Sequence, residues 1–255
     1  MYSLKEYLLE ALIKHKITNY DDTVNKADDI VDFGLSVKWL KYNLAGNKLT
    51  DDESDYGYYY QWGSTIGYPD ASTHTFSSSW TDTPYCNVSH NSFTKYVIKP
   101  YFGTVDNKKV LDPEDDAVTV LLGSEYRMPT KDEYNELYKH CGGKHSRSLS
   151  GTTSISKTGI YWVKAGTTVN GIKYTNAGRL FVGQDVTKRV FFPAAGNCCD
   201  SSVCLVGSGG CYWSSSLYSS TSIDAYLLYF SGSSVSPAYS YSRYGGFSVR
   251  GVKVN

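Results

Sequence analysis

Six cysteines are the residues with the widest chemical range in this 255-residue chain, and four of them, Cys198, Cys199, Cys204 and Cys211, crowd into one short stretch. Thiolates at that density could ligate zinc or act as nucleophiles. A zinc cluster, however, calls for CxxC pairs or nearby histidines. The stretch has neither, since His74, His90, His140 and His145 all lie far upstream. A serine nucleophile wants a Gly-x-Ser-x-Gly elbow, and around Ser208 the place of the first glycine is taken by Val206. The acidic run from Asp112 to Asp116 offers oxygen atoms for Ca²⁺, yet it reads more simply as a solvated turn leading into a strand at AVTVLLG (117–123). These residues imply no catalytic set, no metal and no cofactor; the cysteines read as free thiols.

The elements that must carry these residues are written mostly in strand and turn residues. Tyr 24 and Gly 23 stand against Met 2, a palette poor in strong helix formers. Lys+Arg 25 balances Asp+Glu 25, so nothing in the net charge favours a polyanion such as nucleic acid. No apolar run approaches the ~18 residues of a membrane helix, which argues against membrane insertion. The start, MYSLKEYLLEALIKHK, places charges where a secretory signal needs its apolar core, so synthesis without export by that route is expected. Leu4, Tyr7, Leu8, Ala11 and Leu12 form a helical stripe within residues 3–15, behind a possible Ser3 cap. That stripe must be buried somewhere, either on its own domain or as a docking or self-association handle. We divide the chain into this helix and its linker (1–28) and one domain (29–255).

Within the domain, strands are expected at LSVKWLKYNL (35–44), GYYYQW (57–62), GIYWVK (159–164) and RVFFPAAG (189–196). Residues 64–112, rich in Ser, Thr, Pro, Asp and Asn, read as long loops. Thr130 and Glu133 form a capping box ahead of Tyr134, Leu137, Tyr138 and Cys141, and Gly142-Gly143 ends that helix. The sum is an α+β domain.

From Asn197 to Val252 there is not one Lys, Glu, Gln or Met, whereas residues 1–196 carry 29 of them, a rate that would place about eight in this window. Strand and turn composition accounts for part of the deficit. Codons descended from AAC or AAT by change at the two adenines would account for the rest. They reach Tyr, Ser, Cys, Gly, Asp, Leu and others but never Lys, Glu, Gln, Met or Trp. Trp213, the window's single tryptophan, would then be fixed.

The motifs VDFGLSVKWL (31–40), DYGYYYQWG (55–63), EDDAVTVLLGSEYRMPTKDEYNEL (114–137), FFPAAG (191–196), YWSSS (212–216), AYLLYF (225–230) and RYGGFSVRGV (243–252) resemble a C-type-lectin-fold domain of Bacteroides and their phages, related to the Fibrobacter succinogenes major paralogous domain. Some members are variable proteins of diversity-generating retroelements, whose reverse transcriptase rewrites a C-terminal stretch at adenines. The resemblance implies a C-type lectin fold and a variable region at about 197–245. It implies a fixed scaffold of Trp213, Ser214, Ser215, Phe230, Arg243, Gly246, Phe247, Val249 and Arg250. The candidate contact positions are Cys198, Cys199, Ser201, Cys204, Cys211, Leu217, Tyr218, Ile223, Tyr229, Gly232, Ser236, Ala238, Tyr239, Ser240, Tyr241 and Tyr244. Period two in AYLLYF assigns Leu228 and Phe230 to the core and leaves Tyr229 and Leu227 exposed. Tyr with Ser and Gly is also the palette of antibody paratopes.

The resulting expectation is a non-enzymatic, hypervariable receptor-binding protein of a phage tail or tail fibre, virion-associated and extracellular after lysis. Its ligand would be a bacterial surface protein or glycan, with residues 3–15 joining the virion or another subunit. The alternative is a structural or assembly domain of a phage or bacterial particle. A distant third is an oxidase like the formylglycine-generating enzymes of the same broad fold, which need an activated cysteine pair. The Glu/Asp-Pro-Asn and Trp-Asn-Asp ligands of calcium-dependent lectins are not present.

Overall fold

The computed structural model describes residues 29–255; the segment 3–15 and its linker lie outside the described residues. The chain opens with β1 (Ile30–Val31), β2 (Val37–Ala45), β3 (Lys48–Leu49), β4 (Tyr59–Tyr60) and β5 (Gly67–Tyr68). Two helices, α1 (Ala117–Leu122) and α2 (Lys131–His140), flank β6 (Tyr126–Arg127). Next come β7 (His145–Leu149), β8 (Thr152–Thr153), β9 (Gly159–Val163), β10 (Thr167–Val169), β11 (Ile172–Tyr174), β12 (Gly178–Val182) and β13 (Arg189–Pro193). The last part holds β14 (Asn197–Cys199), β15 (Ser202–Cys204), β16 (Gly209–Leu217), β17 (Asp224–Ser231), β18 (Val235–Ser242) and β19 (Arg250–Val254). The class is α+β and sheet-rich, as the palette implies.

Strands β2 and β19 pair antiparallel inside a sheet ordered β1-β2-β19-β6, which brings the two ends of the described chain side by side. A second sheet, β13-β12-β9-β7, contains β9 and β12 with every residue buried. The apolar run GIYWV is what covering on both faces demands; in GRLFV the one charged residue, Arg179, is buried with its guanidinium donating to the Ser231 carbonyl (3.0 and 2.6 Å). The third sheet is the antiparallel β16-β17-β18. Its two faces feed different cores. Trp213, Leu217, Ala225 and Leu227 join Leu40, Trp62 and Phe247 on one side. On the other, Tyr212, Leu228 and Phe230 join Trp39, Tyr134 and Phe192.

Helix α2 forms as its sequence dictates. The Thr130 hydroxyl accepts from the Glu133 N–H (3.3 Å) and the Glu133 carboxylate accepts from the Thr130 N–H (2.7 Å). Glu133 also pairs with Arg127 (2.5 Å), which helps hold its carboxyl below its usual range against the opposing effect of burial. Gly142 and Gly143 then turn the chain out with φ of +91° and +62°. The helix docks on the third sheet, the Lys131 N–H donating to Ser216 Oγ (3.1 Å).

Two local expectations are corrected. Residues 117–122 are the helix α1 rather than a strand. Asp116 caps it, accepting from the Val118 and Thr119 N–H groups (2.9 and 3.1 Å), so a cap outweighs the β-branched run Val-Thr-Val. Leu227 is buried, not exposed. The partners of Leu227 and Tyr229 on β18 are Tyr239 and Ser236, three residues apart instead of two. The alternation along β17 holds, with Leu227 on the face opposite Leu228 and Phe230, and that face is covered by a core of its own. The bulge at Pro237–Ala238 lies on β18, where proline is at home because it has no N–H to leave unpaired. Among the described residues no helix is long and apolar enough to cross a membrane.

Candidate functional site

The residues expected to hold the scaffold are all buried: Trp213, Ser214, Ser215, Phe230, Arg243, Gly246, Phe247, Val249 and Arg250. Each has a physical task. The Trp213 indole N–H donates to the Tyr60 carbonyl (2.8 Å) and its ring lies against Phe247, 4.4 Å between centroids. Arg250 donates to Asn43 Oδ1 (2.8 Å) and to the carbonyls of Leu40 and Phe191 (both 3.0 Å). A Cβ on Gly246 would stand 2.5 Å from the Phe76 ring.

Arg243 ties the long insert 64–112 to this region. Its guanidinium lies 4.2 Å from the Phe93 ring centroid and 4.8 Å from that of Trp62, and donates to the carbonyls of Ser222 (3.2 Å), Lys95 and Pro84 (both 3.4 Å). With carbonyls and ring faces for company, burial pushes the group down to about 9. Desolvated stacking of this kind is worth about 2 kcal/mol.

The contact candidates divide by depth. Cys198, Cys211 and Leu217 are buried, which corrects their assignment to a ligand-facing surface. Cys211 and Leu217 sit on β16, the strand of the third sheet most enclosed by core, and Cys198 packs on Tyr59 and Phe76. Burial raises the Cys198 and Cys211 thiols to about 12, so the reactive thiolate is disfavoured. Ser201, Cys204, Gly232, Ala238 and Tyr239 are exposed; Cys199, Tyr218, Ile223, Tyr229, Ser236, Ser240, Tyr241 and Tyr244 are half-buried.

Cross-strand register explains which of these meet. Cys211 pairs with Tyr229 and Tyr229 with Ser236; Trp213 pairs with Leu227 and Leu227 with Tyr239; Leu217 pairs with Ala225 and Ala225 with Tyr241. Directly opposed residues share a face, so each row runs from core on β16 to surface on β18. The surface end is a tyrosine ladder. The Tyr229 and Tyr239 rings lie 5.3 Å apart, Tyr241 and Tyr244 6.1 Å apart, and Cys199 Sγ is 3.2 Å from the Tyr241 hydroxyl. Burial raises the Tyr241 and Tyr244 hydroxyls above their ordinary value, keeping them neutral.

Tyr218 and Ser240 are not part of this ladder. Tyr218 packs edge-on against Tyr226 (5.0 Å), whose ring lies under the Lys131 ammonium, and Ser240 pairs with that same Tyr226. They belong to the α2 side. Gly232 sits in the β17–β18 turn, at the opposite end from Tyr241.

Sequence reasoning missed the insert's share of the site. Phe76 and Asp200 exchange both backbone hydrogen bonds (3.0 and 2.8 Å), and the Asp200 carboxylate accepts from the Ser78 N–H and hydroxyl (both 3.0 Å). Trp80 meets Tyr244 edge-on at 5.2 Å. The tryptophan in an otherwise polar Ser/Thr run was the available signal.

The acidic run is occupied by protein. The Lys95 ammonium lies 2.7 Å from Asp112, 2.5 Å from Asp115 and 3.3 Å from Glu114, and the Tyr85 and Tyr96 hydroxyls donate to Asp115. A cation ligated there would have to displace that ammonium. His74 stacks on Tyr68 (4.0 Å) and His140 meets Phe33 (5.5 Å), so both rings serve packing. The assembled surface thus presents aromatic rings and hydroxyl groups together with the Asp200 carboxylate, over the Cys198 and Cys211 thiols that burial raises. Scans against protein-family models, curated proteins and solved structures return no match to this chain.

Proposed function

We propose that this is a ligand-binding protein: a C-type-lectin-like scaffold whose C-terminal surface is diversified by adenine-directed retrohoming, serving host attachment in a phage tail. One observation carries the reading. Inside the window lacking Lys, Glu, Gln and Met, the scaffold residues named from the resemblance are all buried, while the ladder Tyr229, Tyr239, Tyr241 and Tyr244 reaches the surface. Adjacency of the first and last long strands, β2 and β19, is in keeping with a lectin-like domain closed at its base. Tyrosine supplies wide contact area at small rotamer cost, and Ser and Gly adapt around it. The ligand is a bacterial surface protein or glycan.

The test is binding of the purified full chain to whole cells of a panel of Bacteroides strains. We expect strain-restricted binding that Tyr239→Ser weakens at least tenfold and that Ser124→Ala, at an exposed position next to Gly123, leaves unchanged. Binding to no strain, with binding to purified phage particles instead, would favour the assembly-domain alternative. Oxidase chemistry like that of formylglycine generators is disfavoured by the raised thiols of Cys198 and Cys211. Copper-dependent oxidation of a cysteine-containing peptide would reinstate it.

A further inference from the structure

The two segments that build the ladder face are charged with one sign. Residues 64–94 and 197–249 together hold four acids, Asp70, Asp82, Asp200 and Asp224, against a single base, Arg243. Arg243 is fully buried against the Phe93 and Trp62 rings and donates inward, so its donors are out of a ligand's reach. Asp70, Asp82 and Asp200 are exposed. Asp200 Oδ1 accepts from Ser78, which leaves Oδ2 without a partner among the described residues. Burial is the main reason that the Tyr244 hydroxyl is raised, and the Asp200 and Asp224 carboxylates add to it, which sets both acids within Coulombic reach of that ring.

Elsewhere the chain covers its own aromatic rings with cations. The Lys131 ammonium lies 5.1 Å from the Tyr226 centroid, Lys95 5.1 Å from that of Tyr96, and the Arg179 guanidinium 5.4 Å from that of Trp162. Among the described residues no cation lies over Tyr229, Tyr239, Tyr241, Tyr244 or Trp80. A ring face attracts a cation within about 6 Å of its centroid, and a carboxylate beside the ring adds to the attraction. We propose that the tyrosine ladder receives lysine or arginine side chains of a partner protein. The inference rests on the ligand-binding reading above and narrows its ligand to a protein with a basic patch. An acidic glycan would meet carboxylates that nothing on this face offsets, and a neutral sugar would leave their charge unanswered.

Retention of the purified full chain on beads bearing Gly/Ser peptides tests it, three positions of each peptide being Arg, Glu or Ser. Asp200→Asn keeps an oxygen that accepts from Ser78 and removes the charge. Asp185→Asn, at an exposed position in the β12–β13 turn, removes the same charge away from the ladder. Circular dichroism checks that each variant is folded. The expected result is at least tenfold more chain retained on Arg beads than on Glu or Ser beads. Asp200→Asn and Tyr239→Ser should each cut that retention at least threefold, and Asp185→Asn should leave it unchanged. Equal retention on the three beads overturns the proposal, as does an equal loss for Asp185→Asn, which would make retention a matter of net charge alone. Stronger retention on dextran or heparin beads also overturns it and gives the face to a glycan. The beads carry nothing bacterial, so the two readings fail separately. Strain-restricted cell binding without the arginine preference sinks this inference alone, and the arginine preference without cell binding sinks only the attachment reading.

Discussion

Replacing Trp213 by Ala and, separately, Tyr239 by Ser should separate scaffold from display in a single stability measurement. Trp213 is fully buried, its N–H donates to Tyr60 at 2.8 Å, and its ring rests on Phe247. Truncation removes the largest side chain available and costs about 3–5 kcal/mol. For a domain of this size that is a fall in Tm of roughly 6–20 °C. Trp213→Phe should be milder, about 1–2 kcal/mol, because the Tyr60 carbonyl still accepts from the Phe247 N–H (3.0 Å). Tyr239 is 49% exposed, and its one ring partner among the described residues is Tyr229, so Tyr239→Ser should cost no more than about 1 kcal/mol. Urea and thermal unfolding followed by circular dichroism read all three. A loss for Tyr239→Ser equal to that for Trp213→Ala would refute the reasoning, since the ladder would then be core.

Alkali should unfold the protein cooperatively. Tyr59, Tyr60, Tyr96, Tyr134, Tyr174 and Tyr212 are buried with hydroxyl pKa values raised mainly by desolvation. Their contribution is fully present below the unfolded value near 10 and is lost as pH rises beyond it. Arg179, Arg243 and Arg250, lowered by burial, act in the opposite sense, but the six tyrosines outnumber them, so stability falls as pH rises above ~10. Absorbance at 295 nm should therefore rise in step with loss of the circular dichroism signal; complete tyrosine ionisation in an intact fold would count against it. A thiol reagent should label Cys204 at once but Cys141, Cys198 and Cys211 only on unfolding, since these three are buried and raised to about 12; mass spectrometry of the labelled peptides decides. Gly246→Ala should lower stability by about 1–3 kcal/mol through the clash with Phe76, and an unchanged Tm would show that Phe76 yields freely.

Helix α2 was legible residue by residue, because a capping box and a glycine stop are local signals that tertiary context had no cause to override. Strands β9 and β13 were legible for a similar reason: runs buried on both faces need no correct phase. Cover is where the reading failed. Leu227 and Leu228 are both buried because the two faces of β17 each meet a core, and nothing in AYLLYF itself records that its second face is covered. Cys198, Cys211 and Leu217 carry the same side chains an open surface could show, and only pairing with the enclosed strand or packing on Phe76 decides their depth. The insert's contribution, Trp80 on Tyr244 and Phe76 with Ser78 on Asp200, depends on contacts across more than a hundred residues, which local patterns do not encode.

The central claim is that surface positions in the window vary while buried ones stay fixed, and sequencing the gene's locus tests it most directly. The account predicts a near-identical repeat beside a reverse-transcriptase gene. Mismatches should fall at the repeat's adenines and in codons for exposed or half-buried residues such as Cys199, Ser201, Tyr239 and Tyr241, sparing those for Trp213, Phe247 and Arg250. Absence of such a repeat, or mismatches spread evenly over scaffold and surface codons, would contradict it.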